Sequence, residues 1–144
     1  MGRVRVFWHV SISHMPAVAL VVDDSMLIRY TVGRLLESHG FSVESAGNGV
    51  EALEILSRMR PDMIVTDLQM PKMTGQELIA ALKGRRETAQ IPIIIVASRA
   101  SASPESEKLA NFLVYKDIDI EAQLGRALKA LRGKASAKKH AAGK

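Results

Sequence analysis

Three apolar runs, AVALVV at 17–22, MIVT at 63–66 and PIIIVA at 92–97, constrain this chain most, because none alternates with polar residues. A strand with one wet face reads apolar, polar, apolar; a continuous run of this length fits a strand covered on both faces, as at the centre of a parallel sheet. Each run is followed by turn-forming residues and then by a stretch with helical spacing. After the first comes MLIRYTVGRLLESHG, with Leu27, Ile28, Val32, Leu35 and Leu36 on one stripe, Asp24 or Ser25 available as a cap, and Gly40 as a stop.

The same alternation continues along the chain. FSVESA at 41–46 reads as a second strand, GNG as a turn, and VEALEILSRMR as a helix with Val50, Leu53, Ile55, Leu56 and Met59 inward, ended before Pro61. DMIVTD is the third strand and GQELIAALKGRR the third helix. PIIIVAS, a short helix of about two turns opening at Pro104, FLVY and the amphipathic DIEAQLGRALKALR complete five strand-helix units. Parallel strands joined by right-handed helical crossovers place helices on both sheet faces. The expected fold class is therefore α/β, a flavodoxin-like (βα)5 doubly wound parallel sheet with strand order 2-1-3-4-5, whose crevice lies at the carboxyl ends of strands one and three.

Acids stand at that edge. VVDDS ends the first strand on Asp23 and Asp24, and MIVTD ends the third on Asp67. Three converging carboxylates cannot all remain ionised without a counter-charge. A hard divalent cation, Mg²⁺ first, takes oxygen ligands and answers the repulsion. Taken alone, Asp24 reads as a helix cap; the set of three reads as a metal site.

VVDDS, IVTDLQMPKMTG and VYKD together resemble the response-regulator receiver domain of two-component signalling, a CheY-like domain, over residues 17–132. The resemblance implies that Asp67 is the phosphoryl acceptor and that Asp23 and Asp24 hold Mg²⁺ with it. It further implies that Gln69 lends a backbone carbonyl to the metal, that Pro71 and Gly75 shape the loop, and that Lys116 pairs with a phosphoryl oxygen. An ionised carboxylate can attack a phosphohistidine without a general base, with the metal neutralising the transferred group.

Two positions depart from the family pattern. Counting from Pro92 puts Ala97 where receivers carry a switch Ser or Thr, with Ser98 one residue later; a slip of one residue reverses a strand side chain. Aligning Phe112 with the family's switch aromatic would put Tyr115 in the lysine position, whereas taking Lys116 as the lysine replaces the usual proline by Asp117. Lys116 is the preferred assignment. The connection from Ser98 to Phe112 is Ser- and Ala-rich and short, so the acceptor end looks complete and the readout end altered.

The formal charge is +5, yet every Asp and Glu lies between Asp23 and Glu121, and the basic excess sits at Arg3, Arg5, Lys134, Lys138, Lys139 and Lys144. A basic face for specific nucleic-acid binding is not indicated. The absence of cysteine excludes disulfides and thiolate metal sites and fits a cytoplasmic protein, and the apolar runs are too short to span a bilayer. The domain limits are read as an N-terminal extension at 1–15, with Met15 as the natural start and RVRVFWHV as an extra edge strand the alternative, a receiver at 16–132, and a basic disordered tail at 133–144. The four histidines lack metal-ligand spacing.

The expected function is a single-domain receiver, not an enzyme, phosphorylated on Asp67 by a histidine kinase or phosphotransfer protein and signalling to an unidentified downstream protein. The alternatives are a pseudo-receiver that binds proteins without switching, favoured by Ala97, and a Mg²⁺-dependent aspartyl phosphatase. The phosphatase is opposed by Gln69, which stands where such enzymes place a second acid.

Overall fold

The computed structural model describes residues 17–142, with side chains through Gly133; the expectations for residues 1–15 lie outside the described residues. Five strands, β1 (Val18–Val22), β2 (Ser42–Ala46), β3 (Met63–Thr66), β4 (Ile93–Ala97) and β5 (Phe112–Tyr115), form one parallel sheet in the order β2-β1-β3-β4-β5. The helices between and after them are α1 (Met26–Ser38), α2 (Gly49–Leu56), α3 (Gly75–Lys83), α4 (Pro104–Glu107) and α5 (Ile120–Ala142). This is the doubly wound arrangement expected from the apolar runs.

The sheet separates two cores. Leu20, Val22, Ile64, Ile93, Ile95 and Ala97 face one, while Ala19, Val21, Met63, Val65, Ile94, Val96 and Val114 face the other. Every residue of β3 and β4 is buried, which is why these two runs carry no polar alternation. β2 lies at an edge, and its burial is correspondingly weaker.

Helix ends follow local chemistry. Ser25 caps α1, its Oγ accepting from Ile28 N at 3.2 Å, and Asn48 caps α2, accepting from Glu51 N at 2.9 Å. At α3, Thr74 and Glu77 form a reciprocal capping box. α1 stops at Gly40, whose φ of 93° lets Phe41 N–H return to the Leu36 carbonyl and Gly40 N–H to that of Glu37.

Three sequence expectations change. Leu27 and Val50, assigned to buried stripes, are 71% and 48% exposed, because Leu27 lies on the outer arc of its helix with Tyr30, Arg34 and Glu37, and Val50 on that of its own with Glu54 and Ser57. α4 is a single turn, four residues long, since the short connection leaves no room for a second. The expected disordered tail gives way to helix as far as Ala142. Alanine and lysine are strong helix formers, and extending an existing helix avoids the cost of nucleation. Among the described residues, no helix is long and apolar enough to cross a membrane.

Candidate functional site at the carboxyl edge of the sheet

Strand register explains why the acids meet. Val22 pairs with Thr66, so Asp23 and Asp67 are the next neighbours in line, and Asp67 N–H donates to the Val22 carbonyl at 2.9 Å. Alternation does the rest: Val21 and Val65 share a core face, and residues two further along point the same way. Asp23, Asp24 and Asp67 each offer a carboxylate oxygen, and these oxygens lie within 4.8 Å of one another. Asp23 and Asp67 are buried, whereas Asp24 is exposed at the mouth.

Lys116, two residues beyond Val114 on the same face, brings its Nζ to 2.9 Å from both Asp23 Oδ2 and Asp67 Oδ2. It supplies a counter-charge from within the chain. The contact with Asp67 is a hydrogen bond. The contact with Asp23 lacks hydrogen-bond alignment, which leaves Asp23 Oδ2 buried without a directed donor. Its other oxygen accepts from Ser25 N at 2.8 Å, and Asp67 Oδ1 accepts from Leu68 N at 2.7 Å.

Burial, the largest influence, raises the Asp23 carboxyl above its ordinary value; the Lys116 ammonium and the Ser25 N–H draw it back only in part, and Asp67 adds to the rise. For Lys116, burial opposes the charge, but the two aspartates beside the ammonium together outweigh it and raise it. The three-carboxylate donor set, with one buried oxygen lacking a directed donor, fits a hard divalent cation. Gln69 is exposed on the loop after Asp67, and its carbonyl accepts no hydrogen bond among the described residues, so it is free to join such a set.

The β3–α3 loop is tightly built. Gly75 N–H donates to the Leu68 carbonyl at 2.9 Å, folding the loop back on the strand end. Met73 N–H reaches the Pro71 carbonyl at 2.7 Å, closing a three-residue turn around Lys72, whose φ is 69°. A lysine in that region is strained. Lys72→Gly is expected to stabilise the protein by about 0.5–1 kcal/mol, the relieved strain exceeding the added chain entropy; urea denaturation would measure it.

The end of β4 differs from the sequence expectation. Ala97 is fully buried with Ile93 and Ile95, on the core face opposite to that of Val65 and Val114, so it does not line the site. Alternation gives Ser98 the face of Ile94 and Val96, without a bulge. The Ser98 hydroxyl, however, lies 3.0 Å from that of Ser101 and contacts neither Asp67 nor Lys116. Tyr115, the rival candidate for the lysine position, instead lies under the Arg99 guanidinium at 5.4 Å. Sequence reasoning missed Arg29, whose Nη1 donates to the Asp23 carbonyl at 2.6 Å. Its only sequence signal is its place four residues after the Ser25 cap, one helical turn above the acidic pair.

Known proteins resemble this chain in sequence and fold. The family described as "Response regulator receiver domain" matches residues 19–122. "Response regulator MprA" of Mycobacterium sp. (strain KMS) is 39% identical over 89 residues, covering 62% of this chain and 38% of that protein. The "Gliding motility regulatory protein" of Myxococcus xanthus is 37% identical over 123 residues, covering 74% of this chain and 16% of that protein. The chain thus spans well under half the length of these curated relatives. Among solved structures, Vibrio cholerae chemotaxis protein CheY4 superposes with a TM-score of 0.72 at 32% identity, covering 80% of this chain and 98% of that one. Response regulator protein TrrA of Thermotoga maritima, solved in complex with Mg(2+)-BeF, gives a TM-score of 0.70 at 27% identity, covering 80% of this chain and 98% of that one. With the family match spanning most of the chain, this chain belongs to the response regulator receiver domain family.

Proposed function

We propose that this receiver accepts a phosphoryl group on Asp67 from a phosphohistidine of a kinase or phosphotransfer protein, in a Mg²⁺-dependent reaction, and passes its state on through protein contacts. The observation that carries this reading is the shared Lys116 ammonium, 2.9 Å from both buried aspartates. It holds the Asp67 carboxylate in place as a nucleophile. An Asp67 carboxylate oxygen bonds to phosphorus as the phosphorus–nitrogen bond breaks; the departing imidazole keeps the electron pair and takes up a proton, leaving an acyl phosphate on Asp67.

Asp23, Asp24 and the Gln69 carbonyl would hold the metal together with Asp67, and a bound Mg²⁺ would neutralise charge on the transferred group. Lys116 would follow a phosphoryl oxygen while staying paired to Asp23. Beside the acids, Met26, Leu27 and Tyr30 are 74%, 71% and 63% exposed in the opening turns of α1, giving a donor protein an apolar surface next to the acceptor. Gln69 offers no acid for turnover of a phosphate ester, which supports a carrier of the phosphoryl group and not an enzyme.

A second reading rests on Ser98. Because its hydroxyl is engaged with Ser101, a phosphoryl group on Asp67 would have to draw it away from that partner. If that exchange costs too much, the domain is a binding module with an acidic pocket. Intact mass after incubation with Mg²⁺ and acetyl phosphate tests the proposal. A single phosphoryl adduct in the native chain, lost in Asp67→Asn, is expected; no adduct, or one that survives the substitution, would refute it.

A further inference from the structure

Arg29 stands one turn into α1 and reaches back over its own helix start. Its Nη1 donates to the Asp23 main-chain carbonyl at 2.6 Å. That carbonyl belongs to the peptide joining Asp23 to Asp24. The rest of the turn is held from other directions: Asp23 N–H donates to the Ala46 carbonyl at 3.1 Å, and Ser25 N–H to Asp23 Oδ1 at 2.8 Å. Asp24 itself is exposed and has no hydrogen bond or ion pair from its side chain among the described residues, so its direction depends on the backbone that carries it.

The guanidinium is unusual for another reason. Among the described residues no carboxylate lies within ion-pair distance of Arg29, although the side chain is partly buried and Glu51 is close by. An ideal Cβ at Gly47 would stand 3.6 Å from Arg29 Nη1 and 3.5 Å from Glu51 Oε1, which places both groups around the turn after β2. Glu51 is committed to that turn, accepting from Gly47 N at 2.9 Å. The arginine's directed contact is therefore to the peptide between the two acids. A positive charge at this place should by itself weaken the binding of a cation to the acidic cluster.

We propose that Arg29 is a positioning residue for the metal site, fixing the Asp23–Asp24 peptide so that both carboxylates are presented together. This rests on the reading of the acidic cluster as a Mg²⁺ site. Positioning and charge make opposite predictions, which makes the idea testable. Removing the guanidinium takes away a repelling charge and should tighten Mg²⁺ binding if electrostatics alone matter. If positioning dominates, binding should weaken by roughly tenfold, the lower end of what loss of an outer-shell partner costs.

The experiment is calorimetric titration of the full chain with Mg²⁺, comparing native protein, Arg29→Met and Arg29→Lys, with thermal melting of each in EDTA to register folding. The expected result is about tenfold weaker binding in Arg29→Met, with most of the affinity recovered in Arg29→Lys, which keeps a donor and the charge. Equal or tighter binding in Arg29→Met would overturn the positioning role while leaving the metal site intact. Failure of the native chain to bind Mg²⁺ would remove the metal-site reading and this inference with it. Should Arg29→Met not fold, Arg29→Gln, neutral and two atoms shorter, takes its place: weaker binding than native supports the proposal, since loss of charge alone would tighten it, and equal or tighter binding overturns it.

Discussion

Gly75→Ala is expected to destabilise the fold by about 3 kcal/mol or more, an overpacking cost at the upper end of the usual range. A methyl group at this position would overlap the Asp67 carbonyl oxygen and stand 2.9 Å from Leu68 Cα. Both obstacles are backbone, so no side-chain rotation can make room. The peptide after the acceptor aspartate would have to move, and with it the Gly75 N–H bond to the Leu68 carbonyl and the first turn of α3. Urea denaturation should show the lost stability, and the yield of the acetyl phosphate adduct should fall with it. Stability within about 1 kcal/mol of native would mean that the loop can slide away at little cost, contrary to the close packing seen here.

Lys116→Met should be the second large effect, and its size should depend on metal. Without divalent ions the substitution leaves Asp23 and Asp67 facing each other with no cation between them, and breaking such a buried arrangement costs about 3 kcal/mol. Saturating Mg²⁺ should restore much of that loss, because the freed carboxylates bind a cation more tightly and binding to the native state alone raises stability. Thermal melts in EDTA and in Mg²⁺ measure both.

The native protein's pH response follows from the same groups. Asp23 is raised above 3.8, so its contribution to stability is full below pH 3.8 and is lost as pH rises through its folded-state value. Lys116 is raised above 10.5, so its contribution is present at neutral pH and is lost only as pH rises through its own folded-state value beyond 10.5. In Lys116→Met the charge that draws Asp23 back is gone, so metal-free stability should fall more steeply as pH rises above 3.8 than in native protein. An identical slope in the two proteins would sink this account of the acidic pair.

The architecture was legible because burial on both faces writes itself into composition. AVALVV and PIIIVA could be central parallel strands and little else of that length. The three acids were legible for a related reason, since a strand that ends on a carboxylate after an apolar run delivers it to the sheet edge. Leu27 and Val50 misled because an apolar residue at the edge of a helical stripe reads as part of it, while packing decides where the covered arc ends. The tail misled because low apolar content argues against a core, whereas α5 needs none to continue along its own axis.

What the sequence determined by itself was the order of strands and helices and the type of residue at each strand end, both set by local periodicity and turn chemistry. Which of those residues share a face, and at what height, was decided by register. Val22 opposite Thr66 sets Asp23 beside Asp67, and Ala97 opposite Tyr115 buries one and leaves Lys116 to reach both acids. The Arg29 contact to Asp23 and the Ser98–Ser101 pair were likewise decided only in three dimensions, since no spacing rule specifies which of several nearby acceptors a flexible side chain takes. Register and side-chain choice depend on how whole faces pack together, and that information is distributed over residues far apart in the chain.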